Sequence, residues 1–473
     1  MPQTRYAIVG CGHRAKTYLE AIAGPYAERA CVVGVCDSNP GRAEMARARV
    51  AARFPDVAAY HSNDFDRMIG ERSPDCVLIM VPDLLHEQYI CRALEAGCDV
   101  IVEKPMAIDG PSCIRIADTE RRTGKRVTVT MNYRFSPVRT LLKEVLMSGI
   151  VGAIKSVQFE WRLDTHHGAD YYRRWHRRMD NAGGLFVHKA SHHFDLVNWW
   201  LGALPTKVHA KGTRQFYRPE TADALGLTRR GERCTGCPEI DRCNFRLDLR
   251  KKDYLRSVYS DHEHHDGYFR DRCVFSPEID IPDTMNALIE YEGGTALNYS
   301  LVAYSPVEGY RIEFEGTRGR IIHTNVERPW LNPDGSLPPE VDEVNDIVVQ
   351  PQFCKPLRLV VPTGTGLHSG GDKIMLDRLF AESDGGDPYR QFADSRAGAY
   401  SIAVGVAANR SMLKGRPVGM EEVLGAFRRP DYPAGIGTKG VPIDAAHYPF
   451  LAGAIAIDEG TICTLPRYLT ARD

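Results

Sequence analysis

The chain carries almost no net charge. Its 60 lysines and arginines stand against 61 aspartates and glutamates, leaving −1 over 473 residues. That balance, with a pI near 7.0, argues against a nucleic-acid partner or a strongly membrane-directed surface. Long apolar runs are missing as well: none approaches the roughly 20 residues of a membrane span. Met1–Tyr6 leads straight into a strand pattern, so no signal peptide is expected. No internal repeat or low-complexity tract is present. Cysteine, by contrast, is not scarce. Without a secretory signal, the 13 cysteines read as reduced cytosolic thiols, some of them open to metal binding. The expectation is a cytoplasmic α/β protein, too long for one core and so built of two domains or more.

The most informative stretch lies at the start. Gly10-Cys11-Gly12-His13-Arg14-Ala15 follows the apolar run Tyr6–Val9 and opens a helix-like segment, and Asp37 ends the next apolar run. A G-x-G-x-x-A turn between strand and helix lets the backbone approach a pyrophosphate at the positive end of a helix. An acidic residue some two dozen positions later suits the ribose diol of NAD. Asp37 would repel a 2′-phosphate and Ser38 adds no positive charge beside it, although Arg42 lies close. NADP is therefore the less favoured cofactor.

Short apolar runs at Ala7–Val9, Val32–Val35, Cys76–Val81, Val100–Val102 and Val127–Thr130 predict strands buried on both faces of a parallel sheet, with helices between them. After about residue 130 the pattern changes to mostly antiparallel strands, at Ala153–Leu163, Thr206–Gly212, Thr284–Tyr291, Gly294–Ala303, Tyr310–Gly316 and Gly319–Thr324. The fold class read from this is an α/β Rossmann N-terminal domain plus an α+β C-terminal domain with a mostly antiparallel open sheet. The domains are placed at 1–130 and 131–420, with a polar, cysteine-bearing insertion at about 214–275 and a C-terminal extension at 421–473. The open sheet is expected to pair copies of the chain into a homodimer or homotetramer, because Val157, Phe159 and Trp161 would need covering.

The motifs, in order, are Val9-Gly10-Cys11-Gly12; Val81-Pro82 with His86; Leu94-Glu95-Ala96-Gly97 leading to Glu103-Lys104-Pro105; Met131-Asn132-Tyr133-Arg134-Phe135; and Gly183-Gly184 with His192 and Asp195. In these the chain resembles the Gfo/Idh/MocA oxidoreductases. The resemblance covers the chain to about residue 420. It implies an enzyme that binds NAD or NADP and acts on sugars, cyclitols or related polyols, with a subset of the family breaking glycosidic bonds through transient oxidation. The candidate cofactor site is then Gly10, Gly12, His13, Arg14, Ala15, Asp37, Ser38, Val81, Pro82, His86, Glu103, Lys104 and Asn132.

Oxidising an alcohol by hydride transfer requires removal of the hydroxyl proton. Lys104, at a strand end where open α/β sheets place ligands, is suited to hydrogen-bond that oxygen. The resemblance assigns it as the substrate lysine and His192 as its partner. Many members carry Asp at the position of His188, so His188 and the following Lys189 mark a departure. A histidine titrates near neutral pH, and a second cation beside Lys104 would depress that lysine's pKa. The candidate catalytic residues are Lys104, His192 and His188. Candidate substrate contacts are Lys189, Tyr172, Arg174, Trp175, His166 and His167, whose rings and donors suit a carbohydrate.

Cys234, Cys237 and Cys243, with Cys273 some thirty residues on, have spacing that suits a structural zinc. An iron–sulfur cluster and plain thiols remain alternatives. The run Asp261–Asp266 is metal-capable too, or a solvated loop. Three functions remain in play. The first is an NAD-dependent sugar or cyclitol dehydrogenase. The second is an NAD-dependent glycosidase using transient ring oxidation, and the third a non-catalytic cofactor-binding protein.

Overall fold

The computed structural model describes residues 3–339, 343–362, 370–381, 386–433 and 449–455, and the architecture below is that of those residues. The first half alternates strand and helix: β1 (Thr4–Val9), α1 (Ala15–Ala23), β2 (Ala30–Asp37), α2 (Pro40–Ala51), β3 (Ala58–His61), α3 (Phe65–Arg72), β4 (Cys76–Ile79), α4 (His86–Glu95), β5 (Asp99–Val102), α5 (Gly110–Thr123) and β6 (Val127–Val129). All eight residues of β2 are buried, as a strand covered on both faces requires. α2 starts where the Asn39 side chain accepts the N–H groups of Gly41 and Arg42, with Pro40 in the first turn. The spacing reading named neither β3, only four residues long, nor α3, whose core stripe is just Phe65, Met68 and Ile69.

The strands form a parallel sheet in the order β6-β5-β4-β1-β2-β3. Its order reverses between β1 and β4, which opens a crevice at their carboxyl ends. The sheet also gains an antiparallel edge strand from far along the chain, Ala393–Asp394 against β6. The Rossmann unit is thus not confined to the first 130 residues.

The second sheet follows α6 (Pro137–Met147) and has nine strands. Its central strand, β7 (Ile154–Asp164), pairs in parallel with Ala296–Ser305, while every other pairing in the sheet is antiparallel. Between β7 and the next strand, Pro205–Thr213, the chain forms α7 (Thr165–Arg173), α8 (Met179–Ala182), α9 (Gly184–His188) and α10 (Ala190–Leu201). All twelve residues of α10 are buried.

One expectation is corrected here. Val157, Phe159 and Trp161 do not sit on an open face awaiting a partner. They are at most 2% exposed and point to the helices, with Trp161 stacked 3.8 Å from the His193 ring of α10. The opposite face of β7 carries Gln158, Glu160 and Arg162, and a groove of about 640 Å³ there is lined by polar groups such as Lys211, Asn286, Asn298 and Arg311. Period-2 alternation shows that one face is buried, but not what covers it. No helix among the described residues is long and apolar enough to cross a membrane.

Candidate active site

A cleft of about 240 Å³ opens at the carboxyl ends of β1, β4 and β5 and is closed from the other side by α7, α9 and α10. Gly10 makes the first turn. Its φ is +89°, and a Cβ there would lie 2.5 Å from the Met80 carbonyl carbon, so only glycine fits. α1 begins without a side-chain cap or an acidic residue in its first turn, so the positive end of its dipole suits an anion. At the end of β2, Asp37 accepts the N–H groups of Cys11 (2.7 Å) and Asn39 (2.8 Å). A tight glycine turn, an uncapped helix start and a buried carboxylate together fit a dinucleotide.

Arg14, beyond the turn, donates to Glu103 (2.6 Å) and to Asp372 (3.2 and 3.3 Å), and Asn132 donates to Asp372 at 2.6 Å. Burial opposes the charge on Glu103, but Arg14 and the Tyr18 hydroxyl hold its carboxyl below the usual range. His86 is a strut: its ring nitrogens lie 2.7 Å from the Pro105 carbonyl and 2.9 Å from that of Val81, joining two loops of the cleft.

Lys104 follows β5, and its peptide to Pro105 is cis. Its Nζ donates to the His188 carbonyl at 3.2 Å. Burial first, and the Lys189 charge second, push the Lys104 amine down to about 8. His188, at the end of α9, has its Nδ1 2.5 Å from Asp83 Oδ2, and both side chains are buried. Burial raises the Asp83 carboxyl well above its ordinary value, while burial and then the neighbouring His176 depress His188 well below its own. His192 lies on α10 and stacks on Tyr133 with centroids 4.3 Å apart. Lys189 donates to the Tyr133 hydroxyl at 3.3 Å and stands 5.2 Å from the Trp161 ring.

The whole arrangement can bind a dinucleotide at one end, hold an amine ready to lose its proton, and present imidazole and aromatic groups to a second molecule. Two family models cover most of the chain: an oxidoreductase family NAD-binding Rossmann fold over residues 4–131 and its C-terminal alpha/beta domain over 143–420. The chain belongs to the Gfo/Idh/MocA oxidoreductases. It is 35% identical to YteT of Bacillus subtilis, an oxidoreductase by name, over 88% of this chain and 98% of that one. With inositol 2-dehydrogenase 1 of Saccharopolyspora erythraea it shares 31% identity over 45% of this chain and 59% of that one. In fold it matches the WlbA dehydrogenase of Bordetella pertussis, solved with NADH and UDP-GlcNAcA. That match has a TM-score of 0.58 and 19% identity, covering 88% of this chain and 99% of that one.

For this Gfo/Idh/MocA member the cleft gathers Lys104, His188, His192, Lys189, Arg174, Trp175 and His167 with Arg14, Val81, His86, Glu103 and Asn132. Two substrate candidates are placed elsewhere. Tyr172 is fully buried, donates to the Pro282 carbonyl and stacks 4.0 Å from Tyr217. His166 donates its backbone N–H to the Asp164 carboxylate that caps α7, at 3.0 Å, and does not line the cleft. The neighbour Tyr171 lines it instead, because His167 and Tyr171 share a face of α7 at i and i+4, with Arg174 following as its C-cap. That spacing was a usable signal. Asp83 and His176 also line the cleft, and no spacing rule links Asp83 to His188. His188 ends α9 and His192 lies on α10, with Lys189 between the two helices.

The expected structural zinc finds no support. Cys234, Cys237, Cys243 and Cys273 line one small cavity as free thiols. Among the described residues no group of three or more His, Cys, Asp or Glu is placed to hold a metal ion, and the run Asp261–Asp266 is no exception. The insertion has an aromatic core of its own: Phe216, Tyr217, Phe245 and Phe275 pack on one another, with ring centroids 5.1–6.4 Å apart.

Proposed function

We propose that the protein is an NAD-dependent dehydrogenase that oxidises a hydroxyl group of a sugar, sugar derivative or cyclitol. The observation that carries this reading is the buried Lys104 amine, pushed down to about 8 at the end of β5, in one cleft with His188, His192 and Arg14, the last of these two residues past the glycine turn. NAD bound at that turn supplies the hydride acceptor. Lys104 takes the proton of the reacting hydroxyl, which its lowered pKa allows near neutral pH. Asp83 holds His188 by Nδ1, so Nε2 is the nitrogen it offers to substrate or to a relayed proton. His192, held flat against Tyr133, orients the hydroxyl from the α10 side. Trp175 and Tyr171 offer ring faces to a sugar, and Arg174 and His167 offer hydrogen bonds to its other hydroxyls. Relatives named inositol 2-dehydrogenase and the WlbA complex with UDP-GlcNAcA support a polyol or sugar substrate.

The test is NADH formation, followed by fluorescence, across a panel of free sugars, uronic acids and cyclitols. Net NADH with at least one of them is expected. Cleavage of a glycoside without net NADH, accompanied by solvent deuterium in the product, would replace this reading with redox-neutral hydrolysis.

A further inference from the structure

The insertion packs against the dinucleotide site, not only against its own domain. The Tyr259 hydroxyl accepts the His13 N–H at 3.0 Å, on the glycine turn itself. Asn39 donates to the His262 carbonyl at 2.8 Å, and Lys16 stands 4.7 Å from the Tyr254 ring. The contact with most chemical content is ionic. Arg42, on α2, donates to Asp37 from Nε (3.2 Å) and Nη2 (3.1 Å), and the same Nη2 meets Asp266 of the insertion at 2.5 Å. The three side chains are 10%, 7% and 17% exposed.

We propose that Asp266, carried in by the insertion, is a specificity-determining residue that makes the site reject NADP. The proposal rests on the reading of Asp37 as the NAD ribose ligand. Arg42 is the cation beside Asp37, and such an arginine is the group that accommodates a 2′-phosphate. Here it is already held between two carboxylates. With Asp37 alone the pair would be neutral, and a phosphate could draw the guanidinium to itself. With Asp266 added, the trio carries a net negative charge in a largely buried place, and an arriving phosphate meets repulsion instead of a free fork. The ribose diol of NAD needs only an acceptor from Asp37 and is indifferent to Arg42. Asp266 therefore acts on the discrimination between cofactors and leaves NAD affinity alone.

Dissociation constants of NAD and NADP, measured by calorimetry on the full chain, test this. Asp266→Asn keeps the size of the side chain and removes its charge. The ratio of NADP to NAD dissociation constants is expected to fall about tenfold, with NAD affinity unchanged within about threefold. Asp266→Asn combined with Arg42→Leu should return NADP binding to its original weakness, since the freed guanidinium is then gone. A ratio unchanged in Asp266→Asn, or both cofactors weakened alike, would overturn the proposal and leave Asp266 a merely structural contact. So would a gain in NADP binding that survives Arg42→Leu. Wild-type protein that binds NADP as tightly as NAD would instead overturn the NAD reading of Asp37 on which the proposal stands.

Discussion

Replacing Lys104 by arginine separates proton removal from positive charge. An ordinary lysine amine has a pKa of 10.5, and burial with Lys189 nearby brings that of Lys104 to about 8. At pH 7 that change leaves about one amine in ten unprotonated, against about three in ten thousand for an unperturbed lysine, a gain of roughly 300-fold in available base. Arginine keeps the charge and never releases its proton in this range. Lys104→Arg and Lys104→Ala should both lose about 10²–10⁴-fold in turnover, the usual worth of a general base. NAD affinity should stay within about threefold, because the glycine turn and Asp37 are untouched. The sign of the pH effect follows from the direction of the shift. The base form accumulates as pH rises, so wild-type kcat/KM for alcohol oxidation should climb through about pH 8 and then level. In Lys104→Arg that limb should vanish. Lys189→Met removes the second cause of the depression and should move the limb to higher pH. The assay is the initial rate of NADH formation across buffers of constant ionic strength, using any substrate the panel identifies. Lys104→Arg retaining a rising limb near pH 8, or turnover within a few-fold of wild type, would refute the assignment.

Asp83→Ala and His188→Ala should each lower turnover by about 10²-fold. The double variant should be no worse than either alone, because the two act through one hydrogen bond; losses that multiply would show independent roles. Asp195→Ala strands the buried Arg134 guanidinium, now held bidentately at 2.6 and 2.7 Å. It should cost about 3–5 kcal/mol in denaturant unfolding, and a loss under about 1 kcal/mol would mean that water reaches the site. Gly10→Ala places a Cβ 2.5 Å from Met80 backbone at φ +89°, a strain of about 1–3 kcal/mol before any displacement. Thermal unfolding should drop and NAD binding should weaken together, and a variant normal in both would deny the tight turn.

The amino-acid sequence by itself determined the parts of this protein whose signals are local. The strand–turn–helix around Gly10 and Gly12, Asp37 at the end of β2, and Glu103-Lys104-Pro105 after β5 each need only neighbouring residues to be legible. Strand alternation in β7 likewise marks a buried face within eleven residues. Tertiary structure decided the rest, because it depends on how separately formed elements dock. Asp83 meets His188 across 105 positions, and Tyr259 and Asp266 reach His13 and Arg42 across 246 and 224. Such pairs leave no periodic trace. Tyr171 rather than Tyr172 faces the cleft because α7 rotates one of two adjacent rings inward. The four cysteines have a ligand's spacing, yet among the described residues they are not placed to hold a metal, and aromatic rings pack beside them. Spacing states which groups can come together, and only docking states which do.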